Sequence, residues 1–311
     1  MTEPASATLP GAPARTPLGS HALAGPLMVL AGGVCIGFAP IGLRLGLDEL
    51  GPQAIALWRY LFAAPVLFAL VLFTGKRLPP RPNLFIILAG TCFALDIALW
   101  HTALTYTSVS NATFLVNLGN VAVGIAAWLV LRERPTAIWF IAALVALAGA
   151  AALSLGGAAR APSAIGGDLL ALSAAAFVAG YMLFSKLARR TLSGLHAIFW
   201  LTVVEAVVAA ALMLATGQDF LPETLKGFAA PLGLALFVQV GGQGLIITGL
   251  GRTPAALAGV LVLIQPVVAA AVSWRLFHEP LTALQAAGGA AILVAVWLAQ
   301  QKQKAPAEAP V

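Results

Sequence analysis

One acidic residue lies between two aromatic residues in the third apolar stretch of the sequence. Asp96 has Phe93 three residues before it and Trp100 four residues after it. In a helix these positions share one face, so the spacing predicts a carboxylate flanked by rings that could hold a substrate ammonium by charge and cation–π contact. A desolvated carboxylate could also exchange a proton. The alternative is that Asp96 accepts hydrogen bonds from a neighbouring helix and only fixes packing. His101 follows closely and is a further candidate.

Amide side chains recur in other apolar stretches. They suit a zwitterion, because an amide can meet both a carboxylate and an ammonium without adding net charge. The candidates are Asn117 and Asn120, one turn apart, Gln239 and Gln243, four residues apart, and Gln265. Hydrogen bonding between helices, worth about 0.6–2 kcal/mol, is an equally weighted interpretation.

Four further residues are candidates of a weaker kind. Tyr181 and Phe38 occupy matching places in the two halves of the chain, so their rings could line a pathway or could be ordinary core packing. Glu205 and Asp96 are the acidic groups expected deep in the membrane, and both are candidates for proton coupling. For Glu205 a structural pair or a helix bend is the favoured interpretation. Arg59 follows Trp58 and is interpreted as an interfacial anchor, with a gate residue as the alternative.

The composition requires a membrane. Of 311 residues, 60% are hydrophobic and only 9% are charged, whereas soluble domains carry about 25% charged residues. The net charge of +6 does not indicate nucleic acid, because the basic residues lie in short loops and no basic patch with interleaved aromatics occurs. The two cysteines are separate apolar packing positions. The sequence therefore predicts an all-α polytopic membrane protein with the lipid bilayer as its surroundings.

Ten stretches are long enough to cross a bilayer, which takes about 20 apolar residues. They are predicted at 24–46, 53–74, 83–105, 110–130, 136–156, 165–187, 195–216, 228–250, 254–276 and 281–300. Residues 1–23 and 301–311 are predicted to be cytoplasmic tails, the first of them disordered. Pro40 and Pro65 should kink helices 1 and 2, and Gly33 with Gly37 should form a close-packing face.

The two halves of the chain repeat each other at an offset of 146 residues. Trp128 falls on Trp274, and Glu133 falls on Glu279. The repeats are predicted at 24–157 and 165–300, and because each has five helices, an odd number, the second enters the membrane from the opposite side. Inverted repeats are typical of transporters that alternate access around a midplane site.

A polar interruption is expected at matching places in the two repeats. The position that corresponds to Asn120 is Pro266, which leaves the carbonyl of Val262 without its helical donor. A break in a helix next to polar residues, at corresponding positions of the two halves, indicates a binding site.

Basic residues set the predicted orientation. With the N-terminus inside, 12 of the 17 Lys and Arg residues lie on the inner side and 5 on the outer side. Both termini are therefore predicted to be cytoplasmic.

The acidic residues that follow helices 4 and 9, Glu133 before Arg134-Pro135 and Glu279 before Pro280, make the chain resemble the EamA-type drug/metabolite transporter superfamily. Within it the chain is similar to bacterial amino-acid exporters, in particular aromatic amino-acid exporters that also handle methyl viologen. The resemblance implies export across the bacterial inner membrane and a central cavity lined mainly by helices 1, 3, 4, 6, 8 and 9.

Two rival functions stay open beside amino-acid export. One is a multidrug or methyl viologen exporter with Asp96 as its cation site. The other is a nucleotide-sugar or sugar-phosphate carrier, which is disfavoured because no Lys or Arg is expected mid-span to hold phosphate. No ATP-binding loop, metal-site pattern or catalytic constellation occurs in the sequence, so we expect neither an enzyme nor a cofactor, and the choice between proton coupling and downhill transport stays open.

Overall fold

The computed structural model describes residues 19–74, 81–103, 106–107, 109–156, 165–278 and 281–301. Within these ranges the chain is helical, and ten helices are long and apolar enough to cross a membrane. Each begins and ends within about three residues of the range expected from the apolar stretches. The predicted fold class, an all-α polytopic membrane protein, is confirmed. Glu279, residues 1–18 and residues 302–311 lie outside the described residues. Residues 19–23, which the sequence assigns to the first tail, are helical instead.

We number the ten helices α1–α10 in chain order. They are α1 (Gly19–Ile36 and Ala39–Gly46), α2 (Pro52–Phe73), α3 (Leu84–Ala103), α4 (Val109–Leu131), α5 (Ala137–Gly156), α6 (Ile165–Ala188), α7 (Gly194–Thr216), α8 (Ala229–Gly233, Leu234–Gln243 and Gly244–Leu250), α9 (Ala255–Val262 and Ile264–Phe277) and α10 (Ala283–Gln300). The middle part of α8, Leu234–Gln243, is wound as a π-helix.

Two helices are interrupted in the described ranges, and each interruption precedes a proline. The interruption expected at Asn120 is absent, because α4 runs unbroken from Val109 to Leu131. In α1 the break at residues 37–38 precedes Pro40, and in α9 the break at Leu263 precedes Pro266. A proline has no N–H to donate to the carbonyl four residues before it, which explains why the helical ladder fails at these two places. Pro65, by contrast, lies inside a continuous α2.

The two interruptions pack against each other through glycines of α1. A Cβ atom added to Gly33 would lie 2.8 Å from Cγ2 of Ile264, and one added to Gly37 would lie 2.6 Å from Cβ of Val268 and 3.0 Å from the carbonyl oxygen of Gln265. Any larger residue would push the helices apart. The predicted close-packing face of α1 is therefore confirmed, and α9 is its partner.

The halves of the chain are interlocked, since most helices pack on helices of the other half. The pairs α3–α6 and α1–α8 correspond under the sequence repeat, as do α4–α6 and α1–α9, and also α3–α7 and α2–α8. The pairs α2–α7, α4–α9 and α5–α10 join equivalent helices. This pattern fits a two-fold relation between the halves. The inverted orientation of the repeats and their boundaries stay predictions.

One carboxylate joins three helices at one end of the bundle. Glu133, just after α4, forms an ion pair with Lys186 of α6 at 2.9 Å and accepts the backbone N–H of Ala255 at 2.9 Å. Lys186 also donates to the carbonyl of Thr253 at 2.5 Å. An acidic group at the first turn of a helix is favoured by the unpaired N–H groups there, so Glu133 fastens the start of α9 to the ends of α4 and α6.

Candidate functional site

An interior cavity of ≈ 150 Å³ lies at the level of the two interruptions. Seven helices contribute to its wall, including Pro40 from α1, Ile246 from α8 and Pro266 from α9. The wall is largely apolar, with these polar and aromatic residues in it: Arg59, Phe93, Asp96, Trp100, Thr113, Asn117, Asn120, Tyr181 and Gln265.

Six of the ten predicted substrate-binding residues line this one cavity: Asp96, Trp100, Asn117, Asn120, Tyr181 and Gln265. They come from α3, α4, α6 and α9, which is possible because the cavity lies where these helices meet α1. All six helices that the family resemblance implied contribute to the wall. A seventh helix, α2, contributes Arg59, which the sequence did not predict.

Asp96 is a buried carboxylate with an unused oxygen. Its exposed fraction is 6%, and within the described ranges its Oδ1 atom has no hydrogen-bond partner. Phe93, one turn away, packs against Tyr181 with ring centroids 4.8 Å apart, and Trp100 lies on the other side along α3. A buried carboxylate oxygen without a hydrogen-bond partner is costly.

The two asparagines of α4 form a chain of hydrogen bonds along the cavity wall. Nδ2 of Asn120 donates to Oδ1 of Asn117 at 3.0 Å, and Nδ2 of Asn117 donates to the carbonyl of Thr113 at 2.9 Å. The two amides are thereby held in fixed rotamers, which makes them a pre-organised polar surface.

Arg59 corrects one expectation from the sequence. It is only 6% exposed and lies about two turns inside α2, so its interpretation as an interfacial anchor is wrong. Its Nε donates to Oε1 of Gln239 at 2.9 Å, and its Nη2 donates to Oε1 of Gln243 at 3.4 Å. Its neighbour Trp58 is half-buried instead, and donates from Nε1 to the carbonyl of Phe220 at 2.6 Å.

The two glutamines connect Arg59 to Glu205, which is completely buried on α7. Nε2 of Gln239 donates to Oε2 of Glu205 at 2.7 Å and to Oγ1 of Thr202 at 2.8 Å. Nε2 of Gln243 donates to Oε1 of Glu205 at 2.9 Å. Both carboxylate oxygens are therefore satisfied, and the favoured expectation of a structural pair for Glu205 agrees with this geometry.

The amide orientations follow from the chemistry of the two ends. A guanidinium only donates hydrogen bonds and a carboxylate only accepts them, so each amide oxygen must face Arg59 and each amide nitrogen must face Glu205. Gln239 and Gln243 are four residues apart on the π-helical part of α8, in which the Gly244 N–H donates to the carbonyl of Gln239, and both reach Arg59 and Glu205. Helices of this kind are frequent at functional sites.

Four predicted site residues do not line the cavity. Gln239 and Gln243 are completely buried behind Arg59. Phe38 packs edge-on against Phe237, with centroids 5.2 Å apart. His101 is buried next to Trp100, with centroids 5.3 Å apart. Gln239 and Gln243 still influence the cavity wall, because their amide oxygens accept hydrogen bonds from Arg59 and fix the position of its guanidinium.

Ten membrane-crossing helices around an interior cavity with a few polar residues in its wall are typical of a membrane transporter. The sequence matches the EamA-like transporter family over residues 23–155 and again over residues 165–300. The chain therefore belongs to the EamA-like transporter family, as its sequence indicated.

Relatives with this similarity include two bacterial transporters. The uncharacterized transporter YetK of Bacillus subtilis (strain 168) is 26% identical over 258 residues, which cover 80% of this chain and 78% of that protein. The uncharacterized inner membrane transporter YhbE of Escherichia coli (strain K12) is 30% identical over 132 residues, 40% of this chain and 41% of that protein. A solved crystal structure superposes with a TM-score of 0.76 at 18% identity, covering 89% of this chain and 97% of that chain, a likeness that concerns the fold alone.

Proposed function

We propose that this protein exports amino acids, aromatic and other neutral ones, from the cytoplasm across the bacterial inner membrane. The observation that carries the proposal is the cavity itself, whose wall combines aromatic rings and amides with Asp96, a carboxylate whose Oδ1 lacks a partner among the residues that the structure describes. A substrate ammonium would neutralise Asp96, and an apolar or aromatic side chain would pack on the rings. The cavity volume of ≈ 150 Å³ equals that of engineered protein cavities that hold a benzene molecule, about 150 Å³.

The mechanism we propose is alternating access. Inverted repeats allow two mirror-related states around one central site, and we place that site at the cavity beside the interruptions of α1 and α9. The positive-inside distribution, 12 of 17 Lys and Arg, supports an orientation with both termini in the cytoplasm. Asp96 and Glu205 are the proposed coupling groups if protons are exchanged for substrate.

The main alternative is export of organic cations such as methyl viologen. One carboxylate between aromatic rings is also the arrangement that recognises a quaternary or aromatic cation. The sequence disfavours a phosphate carrier because it predicts no mid-span cation, but the buried Arg59 in the cavity wall removes that reason. It is now disfavoured because Asp96 in the same cavity would repel a phosphate dianion.

The test is exchange in proteoliposomes. Vesicles loaded with unlabelled phenylalanine are given radiolabelled phenylalanine outside, with other amino acids or methyl viologen as competitors. We expect saturable exchange that neutral amino acids inhibit. The Asp96→Asn variant should lose most of it, because the ammonium loses its counter-ion. Unchanged exchange in that variant would refute the site, and viologen movement without phenylalanine exchange would favour the alternative.

A pH gradient imposed on the same vesicles separates the two energetic modes. Proton coupling predicts uphill movement of phenylalanine that is abolished in Asp96→Asn or Glu205→Gln. If phenylalanine exchange is the same with and without the pH gradient, transport is downhill and not coupled to protons.

A further inference from the structure

We propose that Arg59 binds the carboxylate of the substrate, so that the cavity recognises an α-amino acid by both of its charged groups. The carboxylate would lie on the Arg59 guanidinium and the ammonium on Asp96. This inference rests on the proposed function and deepens it, because it changes the substrate class from cations in general to zwitterions.

The first support is the unused hydrogen-bonding capacity of Arg59. A guanidinium has five N–H donors, and the contacts to Gln239 and Gln243 engage only Nε and Nη2. Across the part of the chain that the structure describes, Nη1 has no hydrogen bond, and Arg59 lines the cavity. Nη1 and the second Nη2 proton can therefore bind an anion.

The second support is that the guanidinium is held in place before any ligand arrives. Gln239 accepts a hydrogen bond from Nε of Arg59 and Gln243 accepts one from Nη2. Both glutamines in turn donate hydrogen bonds to Glu205. The Cζ atom of Arg59 lies 5.5 Å from the centroid of the Tyr60 ring and 5.8 Å from that of Phe93. A planar fork that is fixed in this way loses little entropy on binding a carboxylate.

The third support is the relation between the two charges. Phe93 contacts the Arg59 guanidinium and lies one turn before Asp96 on the same face of α3. A positive and a negative group thus lie in the wall of one small cavity, and Phe93 contacts the positive one. An α-amino acid carries its carboxylate and ammonium on the same carbon atom, so one molecule can meet both groups.

A consequence for specificity follows. A dication such as methyl viologen would be attracted by Asp96 but repelled by the positive charge of Arg59 in the same cavity. It also has no carboxylate that Arg59 could bind. Phenethylamine, which is phenylalanine without its carboxylate, would leave Arg59 unmatched. A hydrogen bond to a charged group is worth a factor of about 10 to 100 in affinity, which is the preference we expect for phenylalanine.

The experiment measures ligand-induced stabilisation of the purified protein. The midpoint of thermal unfolding is followed while phenylalanine, phenethylamine or 3-phenylpropionate is added, since a ligand that binds only the folded state raises it with concentration. In the unsubstituted protein both analogues should bind about 10- to 100-fold more weakly than phenylalanine. In Arg59→Gln the preference for phenylalanine over phenethylamine should fall to within about threefold, while the affinity for phenethylamine stays the same.

Three further variants separate recognition from folding. Arg59→Gln combined with Glu205→Gln removes both charges of the buried network, so that no unpaired charge is left behind, and should show the same loss of preference. Arg59→Lys keeps the charge without the fork and should retain part of the preference. Arg190→Gln, at an exposed position, is the matched control and should bind all three compounds like the unsubstituted protein.

The outcomes are distinguishable. If phenethylamine binds the unsubstituted protein as tightly as phenylalanine, the Arg59 assignment is overturned although amino-acid transport stands. If the Arg59 variants lose affinity for both compounds equally, Arg59 has only a structural role and the proposal also fails. If the unsubstituted protein neither binds nor exchanges phenylalanine, leucine or methionine, it is the proposed function that fails.

Discussion

Two buried carboxylates lie in the same membrane-spanning bundle and are treated in opposite ways by their surroundings. Glu205 is completely buried, yet each of its oxygens accepts a hydrogen bond from a glutamine. Asp96 is nearly as buried, but its Oδ1 has no partner in the described ranges and the residue lines a cavity. The first carboxylate is fully hydrogen-bonded, and the second is the one that we propose binds substrate.

The difference shows that burial alone does not distinguish a functional carboxylate from a structural one. A buried charge whose hydrogen bonds are all made belongs to a network. Removal of one member leaves the other members buried without a partner. An unsatisfied buried charge is a cost that the folded protein carries until a ligand relieves it. The two residues should therefore respond differently to the same kind of substitution.

The largest expected effect is on stability at Glu205. Glu205→Ala leaves Arg59 and two amides buried without their partner, and should lower the free energy of unfolding by about 3–5 kcal/mol. Asp96→Asn, which removes no hydrogen bond from Oδ1, should leave the free energy of unfolding within about 1 kcal/mol of its original value. Unfolding in mixed micelles followed by circular dichroism measures both. Equal destabilisation by the two substitutions would contradict the distinction.

A smaller effect separates the two glutamines. Both are completely buried on the same π-helical segment, but Gln239 has hydrogen bonds to Arg59, Thr202 and Glu205, whereas Gln243 has a long contact to Arg59 and one bond to Glu205. Gln239→Leu should cost about 2–3 kcal/mol of unfolding free energy and Gln243→Leu about 1–2 kcal/mol. The same unfolding assay applies, and the reverse order would show that the network is held mainly through Gln243.

The smallest effect is expected at the edge of the network. Thr202 accepts one hydrogen bond, from Nε2 of Gln239 at 2.8 Å, and it meets the two charges of the network only through that glutamine. Thr202→Val keeps the shape and removes the acceptor, so a loss of about 1 kcal/mol is expected. Thr216→Val, at an exposed helix end, is the matched control. A loss as large as that of Glu205→Ala would mean that Thr202 is a central member of the network.

The helices could be predicted because a bilayer imposes its thickness on the sequence. Apolar length located all ten, and the proline rule located the interruptions before Pro40 and Pro266. The break in α9 was expected from the missing proline donor, whereas its contact with Gly37 of α1 was not. Contacts of that kind depend on helix rotation and tilt, which apolar length does not determine.

Part of the site could be predicted for a similar reason. Polar residues in the middle of a span must avoid lipid, and this identified Asp96, Asn117 and Gln265. Arg59 was missed because it follows Trp58, a pair typical of a membrane interface. A signal was present: Arg59 lies too far inside its helix for its side chain to reach water easily, so a buried acidic partner was required. The sequence offers only Asp96 and Glu205 at that depth.

The glutamine-linked network also sets a condition on how this protein is made. Arg59 precedes Gln239 by 180 residues, so the ribosome delivers the guanidinium to the membrane long before α7 and α8 exist. During that interval α2 carries an unmatched charge whose insertion costs about 2.5–3.5 kcal/mol. Its apolar residues must offset that cost alone, and the network is completed only when the second half of the nascent chain arrives. Synthesis order thus makes the N-terminal half dependent on the C-terminal half for its final form.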